Sequence, residues 1–143
     1  MTDQDIQIEH GDWDSLRGDA VVIRFGVFVL EQEVPEDLEL DLHDPDCTHW
    51  LVRAAEGDAI ATARLSPDGQ IGRMAVVPDW RGRGIGSALL RAMVRHARDT
   101  GLPTPHLHAQ EQAIGFYESH GFIAEGPSFD DAGIPHRAMR LPD

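Results

Sequence analysis

Hydrophobic positions along the first third of the chain follow strand spacing and then helical spacing. Residues 6–8 alternate as in a short strand. Apolar residues then recur every three or four positions, as on one face of a helix: Leu16, Ala20, Ile23, Val27 and Leu30. Asp12 or Asp14 is suited to cap the start of this helix, and Pro35 is expected to end it.

The middle of the chain predicts an antiparallel meander. Residues 49–54 and 59–65 form a predicted hairpin around the turn at 56–58. The turn at 66–69 has the sequence Ser-Pro-Asp-Gly and leads into an apolar strand that ends at Pro78.

The last part of the chain predicts alternating helices and strands. A helical stripe of Ile85, Leu89, Met93 and Ala97 ends at Gly101. A strand at 106–109, a helix at 112–120 and a hairpin of 122–125 with 137–141 follow. The whole pattern predicts an α/β (α+β) fold with a mixed, mostly antiparallel sheet flanked by helices.

A glycine-rich loop joins the strand that ends at Pro78 to the helix that follows, with the sequence Arg81-Gly82-Arg83-Gly84-Ile85-Gly86. Backbone N–H groups are unpaired at a helix start, and glycine permits close approach, so the loop suits a phosphate or pyrophosphate. A Walker loop is excluded because the chain has no lysine, and the G-x-G-x-G spacing disfavours a dinucleotide fingerprint. A turn that merely connects strand and helix remains the alternative.

Charge and composition narrow the class of protein. The net charge is −13, and all basic residues are arginine. Such a field repels nucleic acid and anionic membranes, so neither is an expected partner. The sequence has no 18-residue apolar run and its start does not resemble a signal peptide, which predicts a cytoplasmic protein with one domain at 1–143. Adaptation to high salt is one hypothesis for the lysine-free acidic composition, and high genomic GC content is the other.

Metal binding is not expected. Cys47 is the only cysteine, so an internal disulfide and a thiolate metal site are excluded. His106 and His108 share one face of a strand, but no third ligand follows at a recognisable spacing. Residues 31–46 are rich in Asp and Glu, and we interpret this segment either as a solvated loop or as an electronegative wall for an amine.

Three segments carry a resemblance to a known family. Arg81, Gly84 and Gly86 match the R/Q-x-x-G-x-G/A signature of the GCN5-related N-acetyltransferases (GNAT). Residues 110–122 resemble the family's N-x-x-A-x-x-F/L-Y-x-x-x-G-F segment, with Gln110 where the family usually has Asn. Residues 27–35 and 133–139 look like the ElaA-like branch, so the resemblance spans about residues 20 to 140.

This resemblance implies a GNAT-type fold whose sheet splits near the glycine loop, and direct acetyl transfer from acetyl-CoA to a primary amine of a small molecule or peptide. It implies Tyr117 as the general acid for the leaving thiolate, and backbone amides of residues 74–76 as the groups that polarise the carbonyl. The residues expected at the cofactor are Met74, Ala75, Val76, Arg81, Gly82, Arg83, Gly84, Ile85, Gly86, Ser87, Gln110 and Phe116. A noncatalytic CoA-binding sensor is the alternative, and a homodimer is left open.

The base for the acceptor amine is not fixed by the sequence. An alkylamine with a pKa of about 10.4 costs roughly 4.6 kcal/mol to deprotonate at pH 7, so help is required. Some GNAT enzymes place a glutamate on the strand before the glycine loop, where this chain has residues 72–74, Gly-Arg-Met. The candidates for substrate contact and proton removal are Glu31, Glu33, His49, His108 and His136, or a water chain that leads from them.

Overall fold

A computed structural model describes residues 6–35 and 42–142 of the chain. Within these residues the strands are β1 Gln7–Gly11, β2 Thr48–Arg53, β3 Ala59–Leu65, β4 Gln70–Val76, β5 His106–Gln110, β6 Ile123–Asp131 and β7 Ile134–Arg140. They form one sheet in the order β1-β2-β3-β4-β5-β7-β6. Neighbouring strands are antiparallel except β4 and β5, which are parallel, and this confirms the predicted mixed sheet.

Helices cover both faces of the sheet. The helices are α1 Trp13–Arg24, α2 Ile85–Asp99 and α3 Ile114–Glu118. The side chain of Asp12 caps α1 by accepting a hydrogen bond from the Ser15 N–H at 2.9 Å. Successive residues of β2 face opposite sides of the sheet. Leu51 packs with α1, whereas Trp50 and Val52 pack in the cluster that includes α2.

A π-helical turn, Phe25–Glu31, continues α1 and changes which side chains it buries. The periodic residues of the predicted helix are buried as far as Val27, but Leu30 is 67% exposed. Hydrogen bonds in a π-helix reach one residue further than in an α-helix, so Leu30 no longer lies on the buried side of the turn. The apolar spacing alone gave no sign of this change.

Two other elements differ from the sequence prediction. The helix predicted at 112–120 is a short 3₁₀ turn, Glu111–Ala113, followed by the five-residue helix α3. The final hairpin is longer than predicted, since β6 extends to Asp131 and β7 begins at Ile134. Its outer strand β6 is mostly exposed and therefore lacks the apolar alternation that marks a buried strand.

The sheet opens between β4 and β5. These strands pair only at Gln70 with His106 and at Ile71 with Leu107. Immediately beyond, β4 contains an extra residue relative to β3, because Arg64 lies opposite Gly72 whereas Thr62 lies opposite Ala75. Arg73 in this bulge has a φ of 51°, which is unusual for a residue with a side chain. A bulge bends its strand, and here β4 leaves β5, as the family resemblance implied.

A buried ionic cluster fixes the end of α1 to the wall of this opening. Arg24 donates two hydrogen bonds to the Asp44 carboxylate, at 3.0 and 3.1 Å, and Arg64 donates one at 2.8 Å. Burial would raise the pKa of Asp44, but the hydrogen bonds and charges of the two arginines outweigh it, and the pKa is lowered. The charged form of Asp44 is therefore part of the folded structure.

Asp44→Asn should destabilise the protein by about 3 kcal/mol, because it removes a carboxylate shared by two arginines, one of them fully buried. Chemical denaturation measures this loss, and the exposed Asp46→Asn serves as the matched control with little effect. The difference in the free energy of unfolding between the two variants should be fully present above about pH 3.9, the pKa of Asp44 in the unfolded chain. It should vanish as the pH falls through the lowered pKa of Asp44 in the folded protein. Equal stabilities of the two variants at pH 7 would contradict this role.

Candidate functional site

A cleft of about 700 Å³ occupies the opening between β4 and β5. The structure brings into its walls most of the residues that the sequence indicated: Met74, Ala75, Val76, Arg81, Gly82, Gly84, Ile85, Gly86, Ser87, His108, Gln110, Phe116, Tyr117 and His136. Four others, Arg83, Glu31, Glu33 and His49, lie outside its lining. The predicted residues thus converge from separate parts of the chain on one concave surface.

The glycine loop forms one end of the cleft. Gly82 and Gly84 have φ values of 77° and 80°, and no atom lies within 4 Å of a Cβ built on either residue. Gly84 caps α2, so the N–H groups of the first turn of α2 have no intrahelical partner. At Gly86 a Cβ would lie 3.5 Å from the Phe116 ring, which shows how closely α3 approaches this turn. The loop has the open, amide-rich shape that an anion requires.

Arg81 holds the loop in place through three contacts. Its Nε donates to the Val76 carbonyl at 2.9 Å, and its two Nη groups donate to the two oxygens of Glu31 at 2.7 Å each. The hydrogen bond from Arg81 lowers the pKa of Glu31, and the bond to Glu31 raises the pKa of Arg81. Arg83 lies over the Trp80 ring, 4.7 Å from its centre. The guanidinium of Arg81 therefore braces the loop and engages a carboxylate of the protein itself.

Gln32 makes the corresponding contact on the other side of the opening. Its Oε1 accepts a hydrogen bond from Gln110 Nε2 at 2.8 Å, and Gln110 Oε1 accepts one from Gln112. Glu31 and Gln32 are consecutive, so the end of the π-helical turn contacts both the loop after β4 and the last residue of β5. Sequence reasoning did not single out Gln32, although its place inside the ElaA-like segment at 27–35 was a signal.

Tyr117 lies on α3 across the cleft from β4. Its hydroxyl donates a weak hydrogen bond to Met74 Sδ at 3.9 Å, and its ring packs edge-on against Phe116 at 5.0 Å. Burial raises the pKa of Tyr117 to about 12. The hydroxyl is therefore protonated at neutral pH and exchanges its poor sulfur acceptor for a better one at little cost.

The other candidates differ in what surrounds them. His49 is buried behind the cleft, where its Nε2 lies 2.9 Å from the Asp44 carbonyl, and burial is the main cause of its lowered pKa. Glu33 is exposed. His108 and His136 line the cleft, and both rings contact Phe129, with ring centres 5.1 and 6.1 Å from it. Among the five candidates for substrate contact, only these two border the cavity.

Neither a metal centre nor a membrane span emerges from the described residues. Across 6–35 and 42–142, no three His, Cys, Asp or Glu side chains are grouped so that they could hold a metal ion. In the same part of the chain, no helix is long and apolar enough to cross a membrane. Cys47 is buried and reduced, with its Sγ 3.3 Å from the His43 carbonyl.

Comparison with known proteins gives a consistent picture. Residues 13–122 match the Acetyltransferase (GNAT) family. The chain is 36% identical over 124 residues to the uncharacterized N-acetyltransferase YjcF of Bacillus subtilis, covering 85% of this chain and 89% of that protein. The fold is similar to that of ElaA from Escherichia coli, with a TM-score of 0.85, 26% identity and coverage of 95% and 99%. An acyl-CoA N-acyltransferase from Pseudomonas aeruginosa gives a TM-score of 0.86 at 27% identity, with coverage of 96% and 99%.

The environment of Tyr117 can be measured directly because it is the only tyrosine in the chain. In an absorbance titration of the folded protein, tyrosinate should appear near pH 12, whereas the unfolded chain should titrate near 10. Since the unfolded state loses this proton first, the free energy of unfolding should fall as the pH rises from about 10 to 12. A folded protein that titrates near pH 10 would show that the hydroxyl is well hydrated.

Proposed function

Because the chain belongs to the Acetyltransferase (GNAT) family, we propose that it is an acetyl-CoA-dependent N-acetyltransferase that transfers the acetyl group directly to a primary amine of a small molecule or peptide. The observation that carries this proposal is the shared cleft. At one end the glycine loop offers unpaired amides, and further along the opening Tyr117 faces the edge of β4 that β5 has left.

Acetyl-CoA fits this site in its charge and its shape. The amides of residues 82–87 suit a pyrophosphate, and the space above Gly82 and Gly84 leaves the approach open. The separation of β4 and β5 provides a slot for a narrow chain such as pantetheine, with Gln110 and Phe116 at its side. When bound, acetyl-CoA supplies an activated acetyl group and a thiolate leaving group.

The backbone of β4 after the bulge is placed to polarise a carbonyl. Residues 74–76 lie beyond the last β4–β5 pair, so this edge of the strand is not used by β5. Backbone N–H donors stabilise the negative charge that develops on an oxygen during acyl transfer. The family resemblance assigns this task to Met74, Ala75 and Val76, and the bulge at Arg73 explains why their edge of the sheet is accessible.

Tyr117 acts as a hydrogen-bond donor to the sulfur as the C–S bond breaks. Its pKa of about 12 lies roughly 3.5 units above that of an ordinary thiol, so complete transfer to a free thiolate is uphill by about 5 kcal/mol. A hydrogen bond that strengthens as charge develops on sulfur avoids this cost. The thiolate becomes fully protonated only when solvent reaches the sulfur.

A noncatalytic CoA sensor is the competing function. Both functions need the glycine loop, but only the enzyme needs a proton donor within the cleft. Incubation with acetyl-CoA and a panel of small and peptide amines, followed by detection of free thiol and of acetylated product, tests the enzyme. Binding of acetyl-CoA without turnover of any amine would favour the sensor.

Gly84→Glu should abolish acetyl-CoA binding, because it places a side chain and a negative charge where the phosphates approach. Calorimetry measures the affinity. Gly57→Glu is the matched control, since Gly57 is also exposed, also has a positive φ and also has no atom within 4 Å of a built Cβ. Both variants place a side chain at a positive φ, of 80° at Gly84 and 102° at Gly57, but only the loop variant should lose binding. Unchanged affinity in folded Gly84→Glu would overturn the phosphate assignment.

Tyr117→Phe should lower kcat by about 10²-fold, the lower end of the usual general-acid contribution, because solvent partly replaces the lost donor. Steady-state kinetics with the best amine measures the effect. The hydroxyl makes only a long contact to Met74, so the melting temperature and acetyl-CoA affinity should hardly change. Turnover within about threefold of wild type, with chemistry rate-limiting, would assign Tyr117 to packing.

A further inference from the structure

One wall of the cleft carries polar side chains on the face of the sheet that is turned away from α2. Leu107 and Ala109 of β5 pack into the core with α2. The alternation of the strand therefore turns His108 and Gln110 to the other face. His136 of β7 lies directly opposite Gln110 in the register and joins them on the cleft side.

The imidazole of His136 is held in one tautomer. Its Nδ1 lies 2.7 Å from the Ile134 carbonyl oxygen. Because a carbonyl oxygen only accepts hydrogen bonds, Nδ1 must carry the hydrogen, and in the neutral ring Nε2 then carries the lone pair. The ring of Phe129 stacks at 25° on the imidazole, which further fixes its plane. His136 lines the cleft and is 9% exposed, so the cleft wall contains a proton acceptor of fixed tautomer.

We propose that His136 is the general base of the acetyl transfer, a role that rests on the function proposed above. The amine reacts in its neutral form, after its ammonium proton has passed to solvent. As its nitrogen bonds to the acetyl carbon, a second N–H proton passes to Nε2 of His136. The C–S bond breaks, and its electron pair remains on the sulfur, which accepts the hydrogen bond of Tyr117. The imidazolium then releases its proton to solvent, and the ring returns to its starting tautomer.

The remaining candidates are less suited to this step. Both carboxylate oxygens of Glu31 accept hydrogen bonds from Arg81. His49 is bonded to the Asp44 carbonyl behind the cleft, and Glu33 lies outside the lining. His108 borders the cleft but is exposed, and its ring packs edge-on against Phe129. His136 alone among them combines a fixed tautomer with a position on the cleft.

Several charged or titratable groups surround His136 and must be kept constant in any pH study. Asp131 and His108 also line the cleft, and the His108 ring packs against Phe129 with the ring centres 5.1 Å apart. Glu111 is connected through Ser128, whose hydroxyl donates to Glu111 at 2.8 Å and lies 3.4 Å from the His136 carbonyl. A variant at position 136 leaves all three in place.

His136→Asn is the sharpest test, because its amide nitrogen replaces Nδ1 as donor to Ile134 while nothing replaces Nε2. We expect kcat for an alkylamine to fall by about 10²-fold, with unchanged acetyl-CoA affinity. The fall of kcat at acidic pH that protonation of the base causes should disappear in His136→Asn. Added imidazole should restore activity in His136→Ala. His106→Asn is the matched control, because Nδ1 of His106 also lies 2.9 Å from the carbonyl two residues earlier, that of Thr104, but His106 lies outside the cleft lining. This variant should remain within about threefold of wild type.

The outcomes separate the role of His136 from the function itself. Wild-type-like turnover and an unchanged pH profile in His136→Asn would overturn the proposal, as would an equal loss of kcat in His106→Asn. Equal loss of kcat and of acetyl-CoA affinity, with no rescue by imidazole, would assign a structural role and also overturn it. A wild-type protein that binds acetyl-CoA but acetylates no amine would refute the enzyme as a whole, before any comparison of variants.

Discussion

The early end of the β4–β5 pairing is the constraint on which the site depends. Two residue pairs join these parallel strands, and the bulge at Arg73 then turns β4 away. Complete pairing would use the edge of residues 74–76 for the sheet and leave no opening between the strands. Because the strands separate, the backbone that would complete a sheet becomes the wall of a cleft. The positive φ of Arg73 shows that this shape is adopted against the residue's usual preference.

The opening is bridged by the end of the π-helical turn. Glu31 is paired with Arg81 on the side of β4, and Gln32 is bonded to Gln110 on the side of β5. The ion pair is exposed, so it adds little to overall stability, but it sets the position of the loop that it holds. In the proposed reaction, this contact would join the pyrophosphate cradle to the segment that borders the acceptor.

The proposed acid and base rely on different means of control. Tyr117 is kept protonated by burial, which raises its pKa to about 12, and its sulfur contact is weak enough to yield to another acceptor. His136 is controlled by a hydrogen bond at Nδ1, which determines where its lone pair lies. One group is thus suited to donating and the other to accepting, and they lie on separate walls of the same cleft.

The sequence by itself determined the succession of strands and helices along the chain, the glycine loop and the family. These features depend on local periodicity and on short motifs with fixed spacing. It could not decide among Glu31, Glu33, His49, His108 and His136 as the base, since no motif around them fixes that role. Only the tertiary structure brought Arg81 to Glu31, across 50 residues of sequence, and placed His136 opposite Gln110. Such pairings depend on the bulge that bends β4 and on the π-helical turn that follows α1, and the hydrophobic pattern of the sequence indicates neither.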